Sequence, residues 1–136
     1  MEFAAGMDRP RVDPLRIPSV TYCHPQVASI GITAAKAQEA GWTVKEGKFP
    51  FQASGMAQAS GDAEGFVKVV VDAEYGAVLG VHIVGNGAAE LIAEVGVGMT
   101  LEASVEDLAH AVHAHPTLSE AVHEALLGAI GRAIHV

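Results

Sequence analysis

The chain has 136 residues, half of them apolar, with 16 acidic against 8 basic side chains and a formal net charge of −8. That length fits one domain with an ordinary core, and the charge argues against a nucleic-acid partner, which needs clustered Lys and Arg. A single cysteine, Cys23, excludes an internal disulfide, a redox CxxC pair and a cysteine-rich zinc site.

Residues 1–16 read as a leader, with Pro10 and Pro14 and little periodicity. Apolar and β-branched residues over 18–23 and 27–31 predict two strands, with Cys23 a small buried residue in the first. Thr33 opens a short alanine-rich helix that stops at Gly41. Residues 42–51 alternate as a strand that meets Pro50, and the small, polar stretch 52–61 reads as a loop or an edge segment. Residues 66–72 and 77–84 are strong strands joined across 73–76, the signature of an antiparallel hairpin.

The period then turns helical. Leu91, Ile92, Val95 and Met99 share one stripe, Ser104 caps a second helix, Thr117 caps a third, and Val122, Leu126, Leu127, Ile130 and Ile134 line the last. Strands followed by helices predict an α+β fold, a mainly antiparallel sheet with helices on one side. Gly96 and Gly98 lie within a helix at a propensity cost of about 1 kcal/mol each, which suggests close approach of another backbone. No apolar run is long enough to span a membrane and no secretory leader pattern is present, so the expected setting is the reducing cytoplasm.

Two segments carry candidate chemistry. Gly85-Asn86-Gly87-Ala88-Ala89-Glu90 imitates a dinucleotide-binding fingerprint, but Glu90 stands where a third glycine is needed. Its charge would repel a pyrophosphate and its bulk would obstruct helix–strand packing, so the segment reads as a turn capped by Asn86 or Gly87.

The second is His113-Ala114-His115-Pro116-Thr117-Leu118-Ser119-Glu120. Pro116 pushes His115 toward extended geometry, which presents its ring in a turn, and Glu120 falls in the first turn of the following helix. A carboxylate there can hold one imidazole nitrogen and leave the other as a proton acceptor, the pairing of an acid–base histidine. The same residues spell a capping box from Thr117 to Glu120, and such boxes are common. On local sequence both readings stand. His110, His113, His115 and His123 allow a further reading as a metal-binding domain, but no carboxylate or thiolate completes a compact ligand set, so no metal site is assigned. His24, His82 and His135 look solitary.

Blocks along nearly the whole chain resemble the C-terminal domain of dihydrolipoamide dehydrogenases, flavin-dependent disulfide reductases: IPSVTYCHPQVASIG (17–31), GKFPF (47–51), GFVKVVVD (65–72), VLGVHIVGNGAAELI (78–92), HAHPTLSEA (113–121) and GRAIH (131–135). One departure is Met56, where family members often carry a basic residue. The resemblance implies that 1–16 is the tail of a preceding FAD domain and 17–136 a C-terminal dimerisation, or interface, domain. It implies a homodimer in which His115, oriented by Glu120, serves the disulfide and flavin of the partner subunit, with His115 and Pro116 near that flavin and a cis His115–Pro116 bond. FAD and NAD belong to the full-length enzyme, which converts dihydrolipoamide and NAD+ to lipoamide and NADH. The fragment alone is expected to bind neither and to be inactive. Its implied partners are the FAD and NAD domains, the lipoyl carrier, and the peripheral subunit-binding domain of the acyltransferase core, a basic module suited to an acidic surface. An isolated dimerising module that binds that domain is the alternative function, and a histidine-cluster metal domain the weaker one.

Overall fold

The computed structural model describes residues 3–7 and 12–135. Five strands form one antiparallel sheet: β1 (Ser19–Thr21), β2 (Val27–Gly31), β3 (Val44–Pro50), β4 (Gly65–Asp72) and β5 (Val78–Gly85), in the order β1-β2-β5-β4-β3. Five helices accompany them: α1 (Ala34–Glu39), α2 (Gly55–Ala59), α3 (Ala88–Thr100), α4 (Val105–Ala109) and α5 (Ser119–Ala129).

Register explains the core. Phe49 faces Val67, Val67 faces Ile83, and Ile83 faces Ala28; one step on, Gly47, Val69, Val81 and Ile30 form the next row. Because side chains alternate along a strand, these rows share one face, and its buried residues belong to a single cluster with Leu91, Ile92 and Val95 of α3 and Val122, Ala125 and Leu126 of α5. Each fully buried valine or leucine there contributes roughly 1.5–3 kcal/mol of transfer free energy. Gly47 sets the contact with α5: a Cβ at this position would collide with the carbonyl of Ala125 and the amide of Ala129. Only glycine lets β3 come that close to the helix.

The β4–β5 hairpin forms as expected. Its turn is closed by the buried Asp72 carboxylate, which accepts from the amides of Glu74 at 3.2 Å and Tyr75 at 3.0 Å. Ser104 caps α4 through a reciprocal box with Asp107, and Gly87 caps α3 with a positive φ of 74°. Leu91, Ile92 and Val95 are buried and Met99 is packed against the core.

Several expectations need correction. β1 ends at Thr21, so Cys23 lies in the following bend and is exposed, its Sγ 3.0 Å from the Pro25 carbonyl. Here His24–Pro25 is cis, unanticipated from sequence, and a proline withholds the amide a strand would use. Residues 52–61 are no plain loop: a 3-10 turn, Phe51–Ala53, leads into α2, whose amide at Ala57 is capped by Ser54. Burial of Phe51 and Ala57 draws this segment onto the core. Within the chain, Gly98 makes room for the Leu108 side chain and Gly96 lies over Ile30, so it is side chains that approach these glycines from inside the domain. Ile134 lies beyond the end of α5 and is exposed, because the helix stops at Ala129 ahead of Gly131, whose φ is 72°. The expected tail 1–16 falls partly outside the described residues, Pro10 among them. Pro14 opens a 3-10 turn, and Arg16 reaches Glu102 and the Thr100 carbonyl at the end of α3.

Candidate active-site half

α4 ends at Ala109, and residues 110–118 run as an irregular loop into α5. The His115–Pro116 bond is cis. The His115 side chain is 80% exposed, and its Nδ1 lies 2.8 Å from Glu120 Oε1. A carboxylate accepts, so Nδ1 donates and Nε2 is left as the free acceptor.

Glu120 does two jobs at once. While Oε1 holds the imidazole, Oε2 accepts from the Thr117 amide at 2.9 Å. This is the backward half of the capping box. The forward half is missing, since the Thr117 hydroxyl donates to the Ala114 carbonyl at 2.7 Å, and the N-cap residue is Leu118, with no side-chain bond. Thr117 therefore does not cap the helix as the sequence suggested; it closes the turn that carries His115. The Thr117 amide first, and the His115 ring second, hold the Glu120 carboxyl below the ordinary range. Glu120 thus stays anionic beside the ring.

His115 and Glu120 line a cleft of about 460 Å³ that His113, Glu124 and His135 also line, and His113 and His135 each pair with a glutamate of their own. His113 Nε2 meets Glu94 Oε1 of α3 at 2.6 Å, and its ring stacks on His123, centroids 5.1 Å apart. His123 in turn donates from Nε2 to the Ala109 carbonyl. His135 Nδ1 meets Glu124 Oε1 at 2.8 Å, and the amides of Ile134 and His135 donate to Glu124 Oε2. Burial pushes the Glu124 carboxyl up, yet the His135 ring and these two amides outweigh it and leave the group below its usual range.

Sequence reasoning missed Glu94 and Glu124, and wrongly took His135 as solitary. A signal existed for Glu124: it lies three residues after buried Ala121 and two before buried Leu126, a charge on an apolar helix face. His110 and His113 do not share a helix, since α4 stops short of both. Among the described residues no group of three or more His, Cys, Asp or Glu could hold a metal ion.

The turn from β5 into α3 does not fit a dinucleotide. A Cβ at Gly85 would enter the Phe51 ring and one at Gly87 would press on Leu118, so these glycines serve internal packing, and Glu90 occupies the first helical turn. No helix among the described residues is long and apolar enough to cross a membrane.

A five-stranded antiparallel sheet with its helices, carrying an exposed histidine on a cis-proline turn, defines a domain class rather than a complete enzyme. The chain belongs to the dimerisation-domain family of the pyridine nucleotide-disulphide oxidoreductases, whose model matches residues 17–126. Among its relatives are the dihydrolipoyl dehydrogenase of Zymomonas mobilis, 49% identical over 98% of this chain and 29% of that protein, and the mitochondrial dihydrolipoyl dehydrogenase of Schizosaccharomyces pombe, 51% identical over 88% of this chain and 24% of that protein. The chain thus spans 24–29% of the length of these two relatives. Its fold matches the crystal structure of LpdA from Mycobacterium tuberculosis with a TM-score of 0.84, at 23% identity over 92% of this chain and 27% of that one. The HOCl-induced flavoprotein disulfide reductase RclA from Escherichia coli matches with a TM-score of 0.77, at 24% identity over 81% of this chain and 25% of that one.

Proposed function

We propose that this chain is the interface domain of a dihydrolipoyl dehydrogenase, acting as a homodimer in which each copy contributes His115 and Glu120 to the other subunit's redox disulfide. Residues 17–136 form the domain, and 1–16 the tail of a preceding FAD domain. The observation that carries the reading is the His115 ring, held at Nδ1 by Glu120 and open at Nε2, in a chain about half identical to dihydrolipoyl dehydrogenases.

In this reading Nε2 takes the proton of an incoming dihydrolipoamide thiol as its sulfur attacks the disulfide. The displaced sulfur leaves as a thiolate beside the new imidazolium, which stabilises it. Glu120 is the group that holds the base, completing the arrangement of an activated nucleophile. Pro116 sets the turn that directs the ring toward the partner's flavin. FAD and NAD have their sites on the other domains, and the residues here manage only the proton.

The charge of −8 supports a second partner, the basic peripheral subunit-binding domain of an acyltransferase core, with the lipoyl carrier as the source of the dithiol. The test is complementation. Added to a truncated enzyme that retains the FAD and NAD domains, this chain restores dihydrolipoamide oxidation, and sedimentation shows it paired. A chain that stays monomeric and restores nothing contradicts the reading.

A further inference from the structure

The loop that carries His115 has little of its own to hold it. Across 111–116 every residue is exposed except His113, and Val112 is 99% exposed. The His113 side chain is only 9% exposed, packed in parallel against His123 of α5, and bonded at both nitrogens. Nδ1 faces the Ala111 carbonyl at 3.0 Å and Nε2 faces Glu94 Oε1 at 2.6 Å. The ring is thus held at both nitrogens, by the loop's own backbone on one side and by α3 on the other.

We infer that Glu94, through His113, is a positioning residue for His115: the pair ties the N-terminal half of this exposed loop to α3, where the Thr117 and Glu120 bonds do not reach, and fixes where the catalytic ring stands relative to α5. Glu94 lies 19 residues from His113 and on a different element from Glu120, so the loop is held from two sides. The Glu120 contact sets the rotation of the His115 ring, and the Glu94 contact sets the path of the backbone beneath it. Displacement of a reacting group by about 1 Å can cost a hundredfold in rate, so slack in this tether reaches the chemistry although Glu94 touches no substrate.

The consequence for turnover rests on the function proposed above, and the experiment separates the two. Three variants are made in a full-length reductase whose interface domain is this chain: Glu94→Ala, Glu94→Gln and His115→Gln. Glu94→Ala lowers kcat for dihydrolipoamide oxidation by about tenfold or more, with KM within about twofold and the dimer intact by sedimentation. Glu94→Gln, whose amide can still pair with His113, recovers most of the loss. In the 136-residue chain, Glu94→Ala speeds hydrogen exchange of the amides at 111–117 and leaves the central amides of β4 and β5 unchanged. Glu94→Ala turning over at the parental rate while His115→Gln is inert overturns the positioning role alone. Unchanged protection at 111–117 also overturns it, because the tether would then hold nothing. Full activity in His115→Gln instead removes the proposed function.

Discussion

The first turn and the middle of the same helix use the same chemical pair differently. At the start of α5, Glu120 holds His115; at its middle, Glu124 holds His135; in each, Nδ1 meets Oε1 at 2.8 Å, and the second carboxylate oxygen accepts from backbone amide. What differs is burial of the acid. The Glu120 side chain is 32% exposed under a ring that is 80% exposed, whereas the Glu124 side chain is 6% exposed. A buried carboxylate must have its bonds, so Glu124 clamps the C-terminal segment onto the domain. Glu120 is only partly covered and holds a ring that stands in the open, the arrangement the proposed acid–base role requires.

That contrast can be broken by substitution. The largest effect falls on His115→Gln, which lowers dihydrolipoamide oxidation by about 10²–10⁴-fold in the reconstituted enzyme, while urea unfolding of the domain shifts by no more than about 0.5 kcal/mol because the side chain is exposed. Glu124→Ala does the reverse: it costs about 1.5–3 kcal/mol in urea unfolding, the usual worth of hydrogen bonds to a charged group. Glu120→Gln is intermediate, with activity reduced about tenfold, since one amide oxygen can accept from the ring or from the Thr117 amide but no longer from both, and the ring is held less firmly.

Acid sharpens the comparison further. Both carboxyls lie below their ordinary range in the folded chain, Glu120 through the Thr117 amide and the His115 ring, and Glu124 through bonds that outweigh its burial. A depressed carboxyl stabilises the fold above its unfolded pKa, about 4.5, and loses that contribution as pH falls through the folded value. Stability therefore declines below about pH 4.5, and the decline is shallower in Glu124→Ala than in the parent, measured by urea midpoints across the acid range.

Legibility followed sequence distance. The His115–Glu120 pair spans five residues with a proline between them, so local chemistry suggested it, and the strand rows through Val67, Val69, Val81 and Ile83 were visible as alternation. Glu94–His113 and Glu124–His135 join residues 19 and 11 apart on different elements, and nothing local marks such a partnership. Cys23 resembles strand because Val20 and Tyr22 precede it, but β1 ends at Thr21 and residues 23–25 form a bend, where Pro25 has no amide to give a ladder. The stretch 52–61 looked like loop because its composition is small and polar, and only the burial of Phe51 and Ala57 makes a helix of it. Thr117 shows how a motif can be half right: Glu120 bonds back to its amide, while its hydroxyl is drawn to Ala114 and the cap falls to Leu118.

Donation of the base between subunits is tested most directly in mixed dimers. One subunit carries His115→Gln with an intact redox disulfide; its partner carries an intact His115 with one redox cysteine replaced. If each histidine serves the other subunit, one of the two sites in such a dimer is whole, and dihydrolipoamide oxidation returns to about half the parental rate. A mixed dimer as inactive as its two parents would show that His115 works only beside its own subunit's cysteines.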